Sequence, residues 1–398
     1  MGISIQQAIA LIQQHTSPLP ATEVPLSQSV DRLLARDLTA AIDQPPFARS
    51  PLDGYALRAA DSTGATADSP VQLPVSGYYP AGVYAAQPLE PGHAARIMTG
   101  GMIPPGADAV IRQEDTCEQD GIVSLYTPLK AWQNYVPQGD DFTKGRLLLK
   151  EGQRLDAAAI AIAAAAGLHR LIVLPRPRLA MLSTGDELRQ PGQPLPPGCI
   201  YDANVSYLQA RAAQLRLPIT SAASAQDDLS AIMAGIRQGL DQADLLLTSG
   251  GISVGDKDLL PEALERVGAR TLFHGVAMKP GMPTLFALLE GKPILCLSGN
   301  PFAAAVAFEV LARPLLACLG QDEAMKPIKV SGVLTNGFER PTQVRRFLRA
   351  RLEGEQITLP TGHANGNLFS MVGCNCLVDT GDNKAPLQAG ERVEAWLL

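Results

Sequence analysis

Continuous apolar segments, each followed by a polar turn that contains glycine, constrain the fold of this chain more than any other feature. The segments are Arg178–Thr184, Asp244–Thr248 and Pro293–Leu297, and the turns are Ser183-Thr-Gly-Asp-Glu, Thr248-Ser-Gly-Gly-Ile-Ser-Val-Gly and Ser298-Gly-Asn-Pro. Unbroken hydrophobicity is typical of strands in a parallel sheet that is covered on both faces. Helical patterns occupy residues 207–217, 229–243 and 302–319. Strands that alternate with helices predict βαβ units with right-handed crossovers, and hence a doubly wound α/β domain.

The sequence around this α/β domain predicts further domains. Ser4 and Gln7 form a capping-box pattern before a helix, and Asp156 precedes an alanine-rich helix that ends at Gly167. Short alternating runs rich in proline, glycine and valine predict β modules on either side. We therefore expect a multidomain α/β plus β protein with an N-terminal helical and linker domain (1–44 and 144–176), a β-rich module (45–143), the α/β domain (177–322) and a C-terminal β domain (323–398).

Composition and charge exclude several classes of function. A net charge of -6 and only 5% aromatic residues argue against nucleic-acid binding, which needs basic and stacking surfaces. The most apolar run, residues 157–168, is too short to span a bilayer, and residues 1–16 do not resemble a signal peptide. The six cysteines contain no CxxC pair, and Cys374-x-Cys376 has the wrong spacing for a zinc site. We expect reduced thiols and a cytoplasmic protein that binds neither nucleic acid nor membrane.

The glycine turns predict a ligand pocket. Ligands of open α/β sheets bind beyond the carboxyl ends of the strands, where glycine permits close approach and helix N-termini attract anions. One such turn would only end a strand, but the coincidence of several turns with serine and threonine hydroxyls favours a phosphate site. The candidate contacts are Thr184, Gly185, Ser249, Gly250, Gly251, Ser253, Gly299 and Asn300.

Charged residues on and near these turns suggest a cation and an anion contact. Asp186, Glu187, Asp256 and Asp258 lie on the turns. A single carboxylate there is usually a helix cap, as Asp186 alone would be, whereas several beside a phosphate suit Mg²⁺. Lys279 lies in a loop stiffened by two prolines, Lys279-Pro-Gly-Met-Pro, and is expected to contact an anion near the sheet edge.

The β-rich module contains motifs that are ambiguous when each is taken alone. Asp53 precedes a glycine in Ser50-Pro-Leu-Asp-Gly-Tyr-Ala, which by itself indicates a turn aspartate. The same holds for Thr99-Gly-Gly-Met-Ile-Pro-Pro-Gly-Ala-Asp and for Gly139-Asp-Asp141. A functional interpretation depends on the combination of these motifs with those of the α/β domain.

The ordered set of motifs resembles the MoeA family, to which the E domain of gephyrin and its plant counterparts are similar. The resemblance covers essentially the whole chain. It rests on Pro-Pro-Phe…Asp-Gly-Tyr-Ala (45–56), Thr-Gly-Gly-x-Ile-Pro-x-Gly-Ala-Asp-Ala-Val (99–110), Gly-Asp-Asp (139–141), Ser-Thr-Gly-Asp-Glu-Leu (183–188), Ile-Tyr-Asp-Ala-Asn (200–204), Ser-Gly-Gly-Ile-Ser-Val-Gly (249–255), Lys-Pro-Gly-x-Pro (279–283) and Gly-Asn-Pro (299–301).

The resemblance implies a molybdopterin molybdenumtransferase with a MogA-like α/β domain and a C-terminal β-barrel. Such enzymes insert molybdenum from molybdate into adenylylated molybdopterin, use a divalent cation, here expected to be Mg²⁺, and release AMP. It also implies an elongated homodimer whose cleft joins the α/β domain of one subunit to the β-rich module of the other, with a MogA-type adenylyltransferase and molybdoenzyme chaperones as partners. The functional positions implied by motif are Asp53, Thr99, Asp141, Glu187, Asp227, Asp258, Lys279 and Pro301, with Arg345 and Arg349 from an Arg-x-Phe-x-Arg pattern.

Physical roles follow for some of these residues. Release of AMP requires attack at a phosphoanhydride phosphorus, so positioning and charge neutralisation should dominate catalysis. Glu187 and Asp258 are expected to bind the metal and Lys279 the anion, while either Asp53 or Asp141 orients the attacking oxygen.

Departures from the family pattern leave other functions open. Val136, Gly275 and Met282 stand where basic residues are common, Asp140 replaces a glutamate, and Ser298 replaces a proline. The missing basic residues at 136, 275 and 282 favour a non-catalytic molybdopterin carrier or scaffold, whereas the retained carboxylates and Lys279 favour the enzyme. An adenylyltransferase like MogA would leave the 45–143 module without a use.

Overall fold

The computed structural model describes residues 2–252, 258–340, 344–381 and 386–398. The chain divides into two compact units, one formed by Met1–Thr22 with Leu174–Leu398 and the other by Glu23–Val173. We call them the larger unit and the N-terminal β unit, and we describe each by itself.

The larger unit is built on a mixed sheet. Its strands, among the described residues, lie in the order Ile219–Ala225, Leu179–Thr184, Leu245–Ser249, Lys292–Leu297, Leu285–Leu289 and Arg270–His274. The first four strands are parallel, as the apolar segments predict. The last two join one edge of the sheet, each through an antiparallel pairing with the strand before it in this order. Every residue of the Leu179–Thr184 and Leu245–Ser249 strands is buried.

Helices cover both faces of this sheet, which confirms the doubly wound α/β fold. Residues of Ile5–His15, Ala203–Gln214 and the long helix after Pro301 pack on one face. Residues of Leu229–Gln242 and Leu260–Val267 pack on the other face. The Ser4–Gln7 capping box is present as expected. The helix predicted at 207–217 begins earlier, at Ala203, because the Asp202 carboxylate accepts a hydrogen bond from Val205 N and caps it there.

The long helix consists of Pro301–Ala307, a π-helical turn Phe308–Ala312 and Arg313–Gly320. By length and hydropathy it is the one helix among the described residues that could cross a membrane, yet 94% of the relevant window is buried within the protein. A core helix of an α/β domain meets the same criteria, so this feature is explained by packing.

A small barrel follows the α/β domain. Apart from residues 341–343 and 382–385, which the structure does not describe, it consists of Lys329–Leu334, Arg345–Glu353, Gln356–Thr358, Cys376–Asp379 and Arg392–Leu397. The pairing of Arg345–Glu353 with Cys376–Asp379 closes the ring. The short strand Met278–Lys279 pairs in parallel with the start of the Arg345–Glu353 strand, with Lys279 in register with Arg346. The expected C-terminal β-barrel is therefore present, and the loop that carries Lys279 is joined to it.

The N-terminal β unit contains the expected β-rich module. Its main sheet, within residues 23–173, has the order Ala109–Arg112, Gly54–Leu57, Ala94–Ile97, Val71–Tyr79, Ile122–Leu125 and Thr116–Gln119. Smaller ladders join Thr22–Pro25 to Arg170–Val173 and Leu38–Thr39 to Leu147–Leu149. Asp156 caps the helix Ala157–Ala165 by accepting a hydrogen bond from Ala159 N, as its sequence indicates.

Candidate functional site

The glycine turns meet at a cavity of 480 Å³ beyond the carboxyl ends of the parallel strands. Thr184, Gly185 and Glu187 line it from one turn, and Ser249–Gly251 and Ser298–Pro301 from the next two. The described residues of the three glycine turns therefore lie together at one edge of the sheet, as expected. Ser253, the remaining candidate contact, lies outside the described residues.

Glycine is required in these turns by positive φ angles and by close contacts with Thr184. Gly250 has φ +94°, and a Cβ there would lie 2.6 Å from the Thr184 carbonyl oxygen. A Cβ at Gly251, with φ +64°, would lie 2.7 Å from Thr184 Oγ1. The turns are packed against each other so tightly that a side chain at either position would separate them.

Asn204 joins these turns, and sequence reasoning did not select it as a site residue. Its Nδ2 donates hydrogen bonds to Ser249 Oγ at 2.7 Å and to the Gly299 carbonyl at 2.8 Å. Its Oδ1 and Thr184 Oγ1 are buried without a hydrogen-bond partner among the described residues. The available signal was the Ile-Tyr-Asp-Ala-Asn motif, because Asp202 caps the helix that places Asn204 at the cavity.

Carboxylates of Glu187, Asp227 and Asp258 also line this cavity. Asp227 Oδ2 accepts a hydrogen bond from Asp186 N at 3.3 Å, and Asp186 Oδ1 accepts one from Asp227 N at 3.1 Å, so these residues fasten two loops together. In the described part of the chain, no group of three or more His, Cys, Asp or Glu residues is close enough to hold a metal. Mg²⁺ usually needs only one or two carboxylates beside substrate phosphates, and the oxygen donors here fit that chemistry.

Lys279 lies at a different cavity from the one that we expected. It lines a space of 390 Å³ together with Arg340, Arg346 and His363. The tertiary structure explains this position, because the Met278–Lys279 strand pairs with Arg345–Arg346 of the barrel and therefore lies beside the barrel. Among the described residues, Lys279, Arg340 and Arg346 bring three positive side chains to this cavity. Burial, followed by the charge of Arg340, lowers the pKa of the Arg346 guanidinium.

Arg345 and Arg349, the other candidate anion contacts, make contacts within the protein. Arg345 pairs with the buried Asp379, with Nε 2.8 Å from Oδ1. Arg349 is fully buried; it donates hydrogen bonds to the Asn367 and Ala364 carbonyls and Ser370 Oγ, and it lies 3.7 Å from the centroid of the Phe302 ring. In this structure both arginines stabilise the barrel and its junction with the long helix.

The remaining candidates, Asp53, Thr99 and Asp141, lie in the N-terminal β unit, whereas the residues above lie in the larger unit. Asp53 Oδ1 accepts hydrogen bonds from Thr99 Oγ1 at 2.7 Å and Thr99 N at 2.6 Å. These bonds, the hydroxyl bond first, lower the pKa of Asp53, so its carboxylate is ionised. Asp141 is exposed, with its backbone N–H bonded to the Gln44 carbonyl.

Pro301 lines the sheet-edge cavity and Phe302 lines the basic cavity, so the start of the long helix stands between them. The loop 279–283 likewise contributes Pro283 to the first and Lys279 to the second. Fold and cavities together define a multidomain α/β protein with a polar cavity at the carboxyl edge of its sheet, where ligands of open α/β sheets bind.

Known proteins share this organisation over the whole chain. Family models match residues 3–167 (MoeA N-terminal region, domain I and II), 180–317 (probable molybdopterin binding domain) and 331–398 (MoeA C-terminal region, domain IV). The chain is 33% identical to a molybdopterin molybdenumtransferase of Staphylococcus aureus (strain MRSA252) over 99% of this chain and 95% of that protein. It is 35% identical to molybdopterin molybdenumtransferase 2 of Mycobacterium tuberculosis (strain ATCC 25618 / H37Rv) over 99% and 98%, respectively.

A solved structure agrees with these matches. The crystal structure of the molybdopterin biosynthesis MoeA protein from Pyrococcus horikosii has a TM-score of 0.82 at 33% identity, covering 100% of this chain and 99% of that one. The chain belongs to the MoeA family of molybdopterin molybdenumtransferases, which are transferases of molybdenum cofactor biosynthesis.

Proposed function

We propose that this chain transfers molybdenum from molybdate into adenylylated molybdopterin and releases AMP in a reaction that requires Mg²⁺. The observation that carries the proposal is the pair of cavities on either side of Pro301 and Phe302. One has carboxylates and glycine turns suited to a nucleotide phosphate with its cation, and the other has cations suited to an oxyanion.

The sheet-edge cavity is proposed to hold the phosphate-bearing substrate. Helices begin at Ala203 and Pro301 beside it, and the partial positive charge of their N-terminal ends favours anions. Thr184 Oγ1 offers a buried hydroxyl donor, and Asn204 Oδ1 offers an acceptor for a hydroxyl or N–H of the ligand. A buried polar atom without a partner costs about 1–3 kcal/mol, so a ligand that satisfies both atoms is favoured.

Glu187 and Asp258 are the residues that would hold Mg²⁺ beside that phosphate, with Asp227 fastened nearby. When bound, the ion would neutralise charge that develops on the phosphate oxygens as AMP leaves. Asp53 stays ionised through its bonds from Thr99, which suits it to orient the attacking oxygen. Asp141 is the alternative, and its exposed carboxylate fits the same task.

The basic cavity is proposed to bind molybdate. Lys279, Arg340 and Arg346 face it, and the lowered pKa of Arg346 reflects burial and repulsion that a dianion would relieve. This assignment moves the anion contact away from Arg345 and Arg349, whose guanidinium groups are bonded within the barrel.

We further propose a homodimer in the cytoplasm. Asp53, Thr99 and Asp141 belong to a separate compact unit, which a second copy would supply if the family's shared cleft applies here. The cysteines are all free, which fits a reducing compartment. A MogA-type adenylyltransferase that supplies the adenylylated substrate and a molybdoenzyme chaperone that accepts the product are the proposed partners.

A carrier or scaffold is the second candidate, because Met282, Gly275 and Val136 stand where basic residues are common in the family. The deciding experiment is to incubate the purified protein with adenylylated molybdopterin, molybdate and Mg²⁺ and to measure AMP release. We expect turnover that Lys279→Ala nearly abolishes and that Lys150→Ala, a change at an exposed lysine, leaves intact. Substrate binding without AMP release would establish the carrier, and unchanged turnover in Lys279→Ala would refute the proposed molybdate site.

A further inference from the structure

His363 is a histidine of the basic cavity to which neither the sequence motifs nor the proposed reaction assigns a role. Its half-buried ring lines the cavity and meets the Phe338 ring edge-on, with centroids 5.1 Å apart and an angle of 84°. Its Nδ1 is buried and has no hydrogen-bond partner in the part of the chain that the structure describes. The ring is therefore oriented by packing, while one nitrogen is left for a ligand.

Positive charges surround this ring from several elements. Arg346 and Arg349 extend from the Arg345–Glu353 strand, Arg340 from the segment before it, and Lys279 from the strand that pairs with it. Burial first, and then the charge of Arg349, lower the pKa of His363 to about 4. In the ligand-free protein near neutral pH the imidazole is accordingly uncharged among cations.

An oxyanion in the cavity would instead favour a proton on or beside the His363 imidazole. A dianion neutralises the neighbouring guanidinium groups and favours a proton on His363, which then donates a hydrogen bond through Nδ1. Alternatively, a singly protonated oxyanion donates its O–H to the neutral nitrogen. The two descriptions contain the same atoms and the same single proton, which lies between Nδ1 and an oxyanion oxygen.

We propose that His363 is a ligand of the oxyanion in this cavity and that binding takes up one proton, shared between them. The proposal rests on the molybdate site assigned above and deepens it, because it makes His363 a residue that favours anions able to share a proton. Uptake of one proton per anion means that affinity falls by about tenfold for each unit by which pH rises, wherever uptake is complete.

The test is calorimetric titration of the full-length protein with molybdate, at about pH 6 and about pH 8, in buffers that differ in ionisation enthalpy. We expect wild type to take up close to one proton at the lower pH and to bind more weakly at the higher pH. His363→Phe should bind less tightly and show no proton uptake. His363→Gln, which keeps hydrogen-bonding atoms but does not titrate there, should recover part of the affinity without the pH dependence. His169→Phe, a change at an exposed histidine of the N-terminal β unit, is the matched control and should behave as wild type.

The outcomes separate this inference from the proposed function. If molybdate binding requires Lys279 and Arg346 but shows equal proton uptake in wild type and both His363 variants, the role of His363 is refuted and the molybdate site stands. Absence of proton uptake in wild type refutes it in the same way. If Lys279→Ala and Arg346→Ala bind molybdate as wild type does, the anion binds elsewhere and both proposals fail.

Discussion

Glu309 is buried at the π-helical turn of the long helix and neutralises two arginines. Its Oε1 lies 2.8 Å from Arg211 Nε, and its Oε2 lies 3.1 Å from Arg313 Nη1. The side chain of Glu309 is 1% exposed, and those of the arginines are 10% and 7% exposed. Arg211 belongs to the Ala203–Gln214 helix, whose first turn carries Asn204 into the sheet-edge cavity. This ion cluster therefore fastens a helix that shapes the site.

Glu309→Gln keeps the size of the side chain and removes its charge. Both arginines then remain buried without a counter-charge, and Arg211 retains the amide of Gln214 as a partner while Arg313 retains the Met325 and Lys326 carbonyls. Removing one partner of a buried ion pair costs about 3–5 kcal/mol. We expect a loss of this size, concentrated in the opening of the Ala203–Gln214 helix.

The assay is hydrogen exchange of peptides that cover residues 203–214 and 308–320, converted to free energies of local opening. Glu262→Gln is the matched control, because Glu262 pairs with Arg266 across one helical turn with side chains 49% and 58% exposed. That exposed pair should contribute no more than about 0.5 kcal/mol. A loss below about 1 kcal/mol in Glu309→Gln would show that the cluster is no stronger than a surface pair and that the reasoning from burial is wrong.

Further predictions concern other parts of the chain. Gly250→Ala should lower AMP release by tenfold or more, because the new Cβ would meet the Thr184 carbonyl oxygen. Gly192→Ala is the control, because Gly192 also has a positive φ of +90° but nothing lies within 4 Å of its Cβ. It should leave AMP release unchanged, which separates the effect of backbone strain from that of the contact. Met282→Lys adds a positive charge to the Lys279 loop and should lower the half-saturating molybdate concentration by about tenfold in the same assay. An unchanged value would show that a charge at position 282 does not contribute to anion binding. As pH falls from 6.5 toward 4, the unfolded chain takes up a proton on His363 that the folded chain does not. Wild type should therefore lose about 1–2 kcal/mol more stability than His363→Phe in urea unfolding, after allowance for the half-exposed ring, and parallel losses would contradict the lowered pKa. Light scattering should show a dimer at micromolar concentration, and a monomer would rule out a site completed by a second copy.

Local sequence was sufficient where a structure depends on neighbours in the chain. The Ser4–Gln7 capping box and the Asp156 cap were predictable because each joins residues three apart. The buried parallel strands and their shared edge were also predictable, since unbroken hydrophobicity and the rule for open α/β sheets do not depend on the details of packing. The ordered motifs identified the family for the same reason: they record positions along the chain.

Only the tertiary structure determined which charged side chains from distant segments lie together. Lys279 was expected at the sheet edge, but pairing with Arg345–Arg346 places it at the barrel cavity. Arg345 and Arg349 have the sequence pattern of anion ligands, yet Asp379 and the Ala364 and Asn367 carbonyls bind them. The His363 ring acquires its charged surroundings only when several segments meet. The chain sequence specifies which groups exist and in what order. Only folding specifies which groups lose water together, and that loss of water determines which charges are paired internally and which remain for a ligand.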